Sequence, residues 1–331
     1  MEKSKKSIGA ILGEYGAYIA LVLLVIVISC ISPEFRTASN FLNLLRQASF
    51  NGLIAFGMTC VILSDGIDLS VGSTFALSAI ICAEMLMHGM PAPLAIAGAL
   101  LVGTVLGTVS GILVTKGRLQ PFIATLITMT AYRGIALIIT DGKPISRLAA
   151  NIESESGAFL FKLLGKGNIE FGPADNPWFA IPIPVIILLI ALAIFWFILH
   201  KTTFGRRIYA TGSNAKCANL VGVNTSKTKI SVYAISGFLS ALAGLIMISR
   251  LDSAQPTLGD GYELDAIAAV ALGGTSMSGG RGKIMGTFAG VLIIAVLNNG
   301  MNILGVNSYY QEVIKAIVIL VAVYQTASDN Q

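Results

Sequence analysis

The sequence carries little charge. Asp, Glu, Lys and Arg make up 12% of its 331 residues, about half the roughly 25% that is typical of soluble domains. Hydrophobic residues make up 55% of the chain, and the mean hydropathy of +0.79 is too high for a surface that meets water. This composition excludes an ordinary soluble enzyme, a disordered protein and a coiled coil, and it predicts a polytopic membrane protein.

Groups that hold metals or form disulfides are also scarce. The chain has two His and four Cys, with neither a CxxC pair nor a cluster of His and Cys, so no metal site and no disulfide framework is expected. The Gly-rich segment 273–283 ends in Gly-Lys, but Met277 stands where a Walker A loop needs its first Gly, and Ile284 where it needs Ser or Thr. We therefore expect the chain to bind no ATP, cofactor or metal, and the segment to form a turn between two helices.

Long apolar runs, by contrast, are abundant. A membrane-spanning helix needs about 20 mostly apolar residues, and the runs are continuously apolar rather than alternating, which favours helices over barrel strands. We predict an all-α fold, a polytopic helical membrane bundle of about ten transmembrane helices in a single transmembrane domain, residues 1–331. The eighth run is short and interrupted by Gly, which leaves open a broken or partly re-entrant helix. The runs are 15–32, 42–63, 70–90, 94–115, 122–140, 178–199, 230–250, 264–278, 284–304 and 309–326.

The distribution of basic residues predicts the orientation. Ten spans place both termini on one side of the membrane. Of the 22 Lys and Arg residues, 13 fall in segments on that side and five in the opposite loops. Membrane proteins keep their excess of Lys and Arg on the cytoplasmic side, so we predict cytoplasmic termini, a periplasmic loop at 141–177 and a cytoplasmic loop at 200–229. The net charge of +5 follows from this asymmetry and does not indicate a nucleic-acid partner.

Polar side chains share a helical face on three of the runs, because they recur at four-residue spacing. Amides and hydroxyls of this kind suit a path for a polar, uncharged solute such as a sugar. The same groups could equally form the hydrogen bonds that hold helices together in a membrane, and both interpretations stay open. The candidate path residues are Asn43, Gln47 and Asn51 in the second run, Thr128 and Tyr132 in the fifth, and Asn298 and Asn302 in the ninth.

Two further patterns favour structure over chemistry. Asp65 and Asp68 fall between the second and third runs, where capping of the next helix by Asp68 or Ser70 at the cytoplasmic end is favoured over a proton or cation site. Small residues at four-residue spacing let helix backbones approach closely. They occur as Gly103, Gly107 and Gly111 in the fourth run, and as Gly237, Ala241 and, three residues further on, Gly244 in the seventh.

The loop at 200–229 contains six bases and no acid. Ser213 is a plausible N-cap and Gly222 a plausible C-terminal glycine, so we predict a helix of about two turns between them. Such a helix is too short to span. It fits docking into a groove on another protein, and the alternative is a surface turn that lies on the lipid headgroups.

From this loop onward the chain resembles the permease subunits of carbohydrate-uptake ABC transporters. The motif FGRRIYATGSN at 204–214 is followed by Gly222 and Val223, and SAQPT at 253–257 and GYELDAIAAV at 261–270 continue the match. DGIDLSVGS at 65–73 matches the same family in the first half. The resemblance covers nearly the whole chain and falls within the group that serves ribose, xylose, galactose and autoinducer-2.

This resemblance implies an import complex of the bacterial inner membrane. Two permease copies form a homodimer in the lipid bilayer, and an ATPase with two fused nucleotide-binding modules docks from the cytoplasm and holds ATP and Mg²⁺. A periplasmic binding protein delivers a monosaccharide, with D-ribose the expected sugar. The family's ATPase-coupling role carries over to Gly212, Ser213, Asn214, Ala215, Ala218, Leu220 and Gly222.

A stand-alone secondary transporter or channel for a small polar solute is the alternative. Such a protein needs a site for a coupling ion, for which buried carboxylates are the expected signature, whereas the acids of this chain are predicted mostly at helix ends. A membrane-embedded enzyme is disfavoured, because the sequence offers no nucleophile–base pair and no metal-binding cluster.

Overall fold

A computed structural model describes residues 8–171 and 179–328 of the chain, so the predicted loop at 141–177 lies partly outside the described residues. In the described part the chain forms thirteen α-helices and four short strands. The helices are α1 (Ile8–Ile31), α2 (Ala38–Leu63), α3 (Val71–Met87), α4 (Ala92–Thr115), α5 (Pro121–Thr140), α6 (Glu155–Lys166), α7 (Ile183–Lys201), α8 (Thr203–Ser213), α9 (Ala215–Leu220), α10 (Thr225–Leu251), α11 (Tyr262–Leu272), α12 (Ile284–Ile303) and α13 (Ser308–Ser328).

Each of the ten predicted apolar runs overlaps one of these helices over most of its length, which confirms the all-α membrane bundle. By length and composition, α4, α5, α7, α10 and α12 are long and apolar enough to cross a membrane, and two shorter apolar helical stretches are Gly16–Ile31 and Val71–Met87. The short helices α6, α8 and α9 lie outside the runs.

The second half of α2 runs through the centre of the bundle. Every residue from Ala48 to Leu63 is buried, as expected of a largely apolar helix in the core of a bundle. α10 packs along α2 on one side and α12 on another. The hydroxyls of Thr59 and Thr287 lie 2.9 Å apart across the α2–α12 contact.

The predicted small-residue stripes of the fourth and seventh runs pack against each other. A Cβ on Gly103 would lie 2.6 Å from the carbonyl oxygen of Gly237, and a Cβ on Gly107 would overlap the carbonyl oxygen of Tyr233. Side chains have no room at this α4–α10 contact, so the prediction that these glycines bring two backbones together is confirmed. Gly244 instead packs on α3, where its Cβ would lie 2.6 Å from the Phe75 carbonyl oxygen.

The two ends of the bundle are built differently. At one end, the α6 end, β1 (Ile145–Ser146) pairs antiparallel with β4 (Ser253–Ala254), and β2 (Asn168–Phe171) pairs antiparallel with β3 (Phe179–Pro182). At the opposite end, the α8 end, the helices α8 and α9 extend from the bundle between α7 and α10.

The eighth run is a broken helix. α11 has 11 residues, about 16 Å at 1.5 Å per residue, which is roughly half of a 30 Å hydrocarbon layer. The non-helical segment 273–283 follows it and reaches the α8 end, where the Gly280 amide donates to the Leu63 carbonyl at 3.0 Å.

Candidate functional site

The segment 200–229 folds into two helices rather than the single short helix predicted. α8 begins after Thr202, whose hydroxyl oxygen accepts the Gly205 amide at 3.2 Å. α9 begins after Asn214, whose Oδ1 accepts the Cys217 amide at 2.9 Å. These bonds satisfy amides that a helix start leaves unpaired. The prediction that Ser213 caps the short helix is wrong, because Ser213 is the last residue of α8 and Asn214 is the cap.

α9 ends in an exposed apolar tip. Leu220 is 87% exposed and Val221 is 80% exposed, whereas Ala218 faces inward at 4%. Gly222 follows with φ +85°, a conformation that glycine adopts without steric cost. Two large apolar side chains held out by a short helix form a surface suited to contact with another molecule. Among the predicted coupling residues, Ser213, Asn214, Leu220 and Gly222 are exposed, Ala215 is half-buried, and Gly212 and Ala218 are buried.

Gly212 packs α8 onto the end of α2. A Cβ on Gly212 would overlap the Leu63 carbonyl oxygen and lie 2.7 Å from the Gly280 nitrogen. The Gly280 amide donates to that same Leu63 carbonyl, and the Tyr209 hydroxyl donates to the Gly282 carbonyl at 2.9 Å. We call this contact of Leu63, Tyr209, Gly212, Gly280 and Gly282 the α2 joint.

A hydrogen-bond donor and two glycine conformations fix the geometry of the α2 joint. Burial, and to a smaller extent the neighbouring Cys60 thiol, raises the pKa of Tyr209 above its ordinary value, so its hydroxyl stays protonated and donates. Gly279 and Gly280 have φ of +77° and +71°, which side-chain-bearing residues rarely adopt. The predicted turn at 273–283 is therefore also a contact surface for α8. The run of glycines was the signal for this role, although it was used only to predict the turn.

Two non-helical segments enter the bundle from opposite ends. Segment 64–70 follows α2 at the α8 end, and segment 255–261 follows α10 and β4 at the α6 end. Gly72 and Gly259 nevertheless touch, since a Cβ on Gly259 would lie 2.8 Å from the Gly72 carbonyl oxygen. α2 has 26 residues and α10 has 27, about 40 Å each. Both segments must therefore turn back inward, and α3 and α11 begin inside the bundle.

A local sequence recurs in the first segment and across the junction of the second segment with α11. Residues 65–70 read DGIDLS and residues 260–265 read DGYELD, so Asp-Gly, an acid and Leu recur at the same spacing. In transporters, interrupted helices at corresponding positions of two halves mark a binding region near the middle of the membrane. The repeat is visible in the sequence, yet it was missed as a pointer to the site.

Asp68 lies inside the bundle, not at its surface. Asp68 is 1% exposed, and its Oδ1 accepts the Ser70 hydroxyl at 2.6 Å and the Ser70 amide at 3.1 Å. Its Oδ2 accepts the Ser236 hydroxyl of α10 at 2.9 Å. Buried carboxylates need such partners. The predicted surface cap is wrong in its position, because segment 64–70 folds inward, and the Ser70 side chain makes no capping bond to α3.

Thr128 and Tyr132 join α5 to α4. The Ser110 hydroxyl of α4 donates to Thr128 Oγ1 at 3.1 Å, and the Tyr132 hydroxyl donates to the Leu106 carbonyl at 2.9 Å. These contacts favour the interhelical interpretation for both residues. The structure does not bring them together with the polar residues of α2 and α12.

The polar residues of α2 lie toward the α6 end. Asn43 accepts a hydrogen bond from Arg46 at 3.4 Å, Gln47 is half-buried, and Asn51 is 7% exposed. α2 and α12 are joined there by two amide hydrogen bonds between Asn40 and Asn299, at 3.0 Å and 2.8 Å.

A polar cavity of about 410 Å³ lies between α11 and α13. Asp265 Oδ2, on its wall, accepts Lys315 Nζ at 3.3 Å and Asn298 Nδ2 at 3.4 Å. Glu263 is 8% exposed and also lines the cavity. Asn302 accepts a hydrogen bond from Gln311 at 2.9 Å. These acids do lie at helix ends, as predicted, but because α3 and α11 start inside the bundle, Asp68, Glu263 and Asp265 are buried. The first acid of each repeat, Asp65 and Asp260, stays exposed.

The sequence matches a known protein family over most of its length. The family model described as "Branched-chain amino acid transport system / permease component" matches residues 40–323. The chain is 50% identical to the ribose import permease protein of Bacillus subtilis, with 97% of this chain and 95% of that protein covered. It is 51% identical to the ribose import permease protein of Haemophilus influenzae, with the same coverage.

Two more distant similarities concern a second sugar permease and the fold. The chain is 38% identical to the L-arabinose transport system permease protein of Escherichia coli, over 97% of this chain and 92% of that protein. Its fold is similar to that of a solved metal-chelate type ABC transporter in an inward-facing conformation, with a TM-score of 0.51 and 14% identity, covering 94% of this chain and 98% of that one. At this identity the likeness concerns the fold alone.

Proposed function

This chain belongs to the family of branched-chain amino acid transport system permease components, and we propose that it is the membrane permease subunit of an ATP-driven importer of D-ribose. The observation that carries the proposal is 50–51% identity to ribose import permeases over nearly the whole chain. Identity falls to 38% for permeases named for L-arabinose and D-allose. A monosaccharide is thus the supported substrate class, with ribose the best supported sugar.

The proposed complex has four parts besides the lipid. Two copies of this chain form a homodimer in the bacterial inner membrane, with the translocation path between them. A cytoplasmic ATPase with two fused nucleotide-binding modules binds ATP and Mg²⁺ and docks at the α8 end. A periplasmic sugar-binding protein docks at the α6 end. The basic loop 200–229 supports this orientation, because Lys and Arg accumulate on the cytoplasmic side.

In this proposal the chain moves the sugar and performs no covalent chemistry. The apolar tip of α9, Leu220 and Val221, sits in a groove of the ATPase and follows its closure. α8 passes that motion to the α2 joint, since Gly212 leaves no gap between α8 and Leu63. Segment 273–283 is held by the same joint and connects α11 to α12, so the motion reaches the half-length helix that borders the polar cavity.

Reconstitution of the whole complex tests this function. The permease, the ATPase and the binding protein are placed in liposomes, and sugar uptake and ATP hydrolysis are measured with D-ribose, L-arabinose and D-allose. We expect ribose to stimulate both activities at least tenfold more than the other two sugars. Equal stimulation by all three sugars, or by none, contradicts the proposal.

The same vesicles test the stand-alone alternative. Vesicles that hold only the permease, without ATP, are given a proton or sodium gradient and labelled ribose. We expect no uptake above that of protein-free vesicles. Gradient-driven uptake at a rate comparable to that of the complete complex would instead identify a secondary transporter.

A further inference from the structure

We propose that the cavity between α11 and α13 is a binding station for a neutral sugar on the translocation path, with Asp265 and Lys315 as the groups that hold its hydroxyls. This inference rests on the proposed function and names a site for its substrate.

The first support is an ion pair within the membrane bundle, where burial of a charged group costs free energy. The Asp265 side chain is 6% exposed and that of Lys315 is 28% exposed, and their charged atoms are 3.3 Å apart. Both residues lie on helices of the membrane bundle, α11 and α13. Ionisable residues within a membrane are rare, face the interior or a water-filled cavity, and usually mark a substrate or ion pathway. The pair is therefore better explained by a ligand than by packing.

The second support is the hydrogen-bonding chemistry. A sugar hydroxyl both donates and accepts, a carboxylate only accepts and an ammonium group only donates. Asp265 and Lys315 can thus hold two neighbouring hydroxyls of one ring by charge-assisted hydrogen bonds. Asn298, 5% exposed, donates to Asp265 Oδ2, and its own Oδ1 is buried without a hydrogen-bond partner among the described residues. Asn298 is not among the residues that line the cavity, so its part is to hold the Asp265 carboxylate in place, and the hydroxyl contacts fall to Asp265 and Lys315.

The third support is size and charge. About 410 Å³ lies in the range of small-molecule pockets and admits a pentose with some water. The cavity wall includes several acids, but the described part of the chain holds no group of three His, Cys, Asp or Glu residues that could bind a metal ion. Its polar atoms therefore suit an uncharged polyol better than a multivalent cation.

The position of the cavity fits a path between two copies. Lys315 is partly exposed and Leu264 is 51% exposed, so the cavity opens on the outer surface of a single chain. Charges that face hydrocarbon are unfavourable, and a second copy across this surface would enclose the cavity in a water-filled path. The cavity also borders the start of α11, where the inward-turned segment 255–261 ends.

Direct binding tests the station without its partners. Saturation-transfer NMR is recorded with D-ribose and the purified permease in lipid nanodiscs, for the wild type and for Asp265→Asn, Lys315→Gln and Glu84→Gln. Glu84 is a matched control, a half-exposed carboxylate on α3 beside His88. We expect a ribose signal that falls at least fivefold in the first two variants and stays within twofold in the control. A missing wild-type signal, or equal signals in all four proteins, overturns the proposal.

Transport separates this station from a structural ion pair. In the reconstituted complex we expect Asp265→Asn and Lys315→Gln each to reduce ribose import at least tenfold, while ATP hydrolysis stimulated by the loaded binding protein stays within twofold. Loss of import and hydrolysis to the same degree, with lowered thermal stability, assigns the pair to folding and overturns the station. A wild-type complex that imports no ribose contradicts the proposed function itself, whereas unimpaired import by both variants contradicts only the station.

Discussion

At the scale of single residues, the functional region depends on positions where a side chain would not fit. Gly212 brings α8 against the Leu63 carbonyl, and Gly72 and Gly259 bring the start of α3 into contact with segment 255–261. In a close-packed interior, even one added methyl group must displace a neighbour. Because the neighbour of Gly212 is backbone, a side-chain rearrangement does not relieve the overlap.

The first prediction concerns Gly212. We expect Gly212→Ala to separate α8 from α2, to destabilise the protein by about 1–3 kcal/mol, a typical cost of overpacking, and to reduce ribose-stimulated ATP hydrolysis at least tenfold. Thermal unfolding in detergent and the reconstituted ATPase assay measure the two effects. Gly134→Ala is the matched control, because a Cβ there meets nothing within 4 Å. Wild-type behaviour of Gly212→Ala would show that the α2 joint transmits nothing.

At the scale of elements, α8 and α9 divide the work of the basic loop. α8 is held against the bundle through Ile208, which is fully buried, and through the Tyr209 hydrogen bond. α9 has only six residues, and its exposed end is the part free to contact a partner. Stability and docking therefore depend on different residues of one loop.

The second prediction follows from this division. We expect the double substitution Leu220→Ser and Val221→Ser to leave thermal stability within the error of wild type, because both side chains are exposed. Binding of the ATPase in co-purification should fall at least tenfold, because the apolar contact is lost. Cys217→Ser, an exposed change on the same helix, should retain full binding. Retained ATPase binding by the double variant would place the docking surface elsewhere.

At the scale of the whole molecule, the two ends of the bundle differ in chemistry, and a chain segment from each end turns into the interior. The α6 end carries the short strand pairs, and the α8 end carries the basic loop. Segments 64–70 and 255–261 start from opposite ends, and Gly72, in the first turn of α3 after segment 64–70, meets Gly259 of segment 255–261. Two helices, α3 and α11, thus start in the interior of the bundle, and the start of α11 borders the cavity that opens toward the proposed path between two copies.

The third prediction fixes the orientation. Cys217 is exposed at the α8 end, whereas Cys60 and Cys82 are fully buried. In a Cys30→Ser background, we expect a membrane-impermeant maleimide to label Cys217 in inverted vesicles and not in intact spheroplasts. Glu153→Cys, at an exposed position of the α6 end, should show the opposite pattern when Cys217 is replaced by Ser. Labelling of Cys217 in spheroplasts would reverse the proposed orientation.

The bundle itself was predictable from the sequence. Continuous apolar runs specify helices, because lipid offers no partner to backbone amides and carbonyls, and a helix satisfies those groups within a single segment. Close backbone packing at the glycines of α4 and α10 was also predictable, because glycines at four-residue spacing leave a groove for another backbone. The helices and the glycine groove both depend on which residue types stand at which positions along the chain, and the sequence gives those positions directly.

What the sequence determined by itself is the membrane class, the helices and the family. The tertiary structure alone decided which polar groups meet. Asp68 lies beside Ser236, and Asp265 beside Lys315 and Asn298, although each pair is separated by at least 33 residues. Thr128 and Tyr132 share the spacing of the α12 asparagines but bond to α4 instead. Helical periodicity tells which residues share a face. It does not tell what that face packs against, which depends on how inward-turned segments and close glycine contacts bring distant helices together.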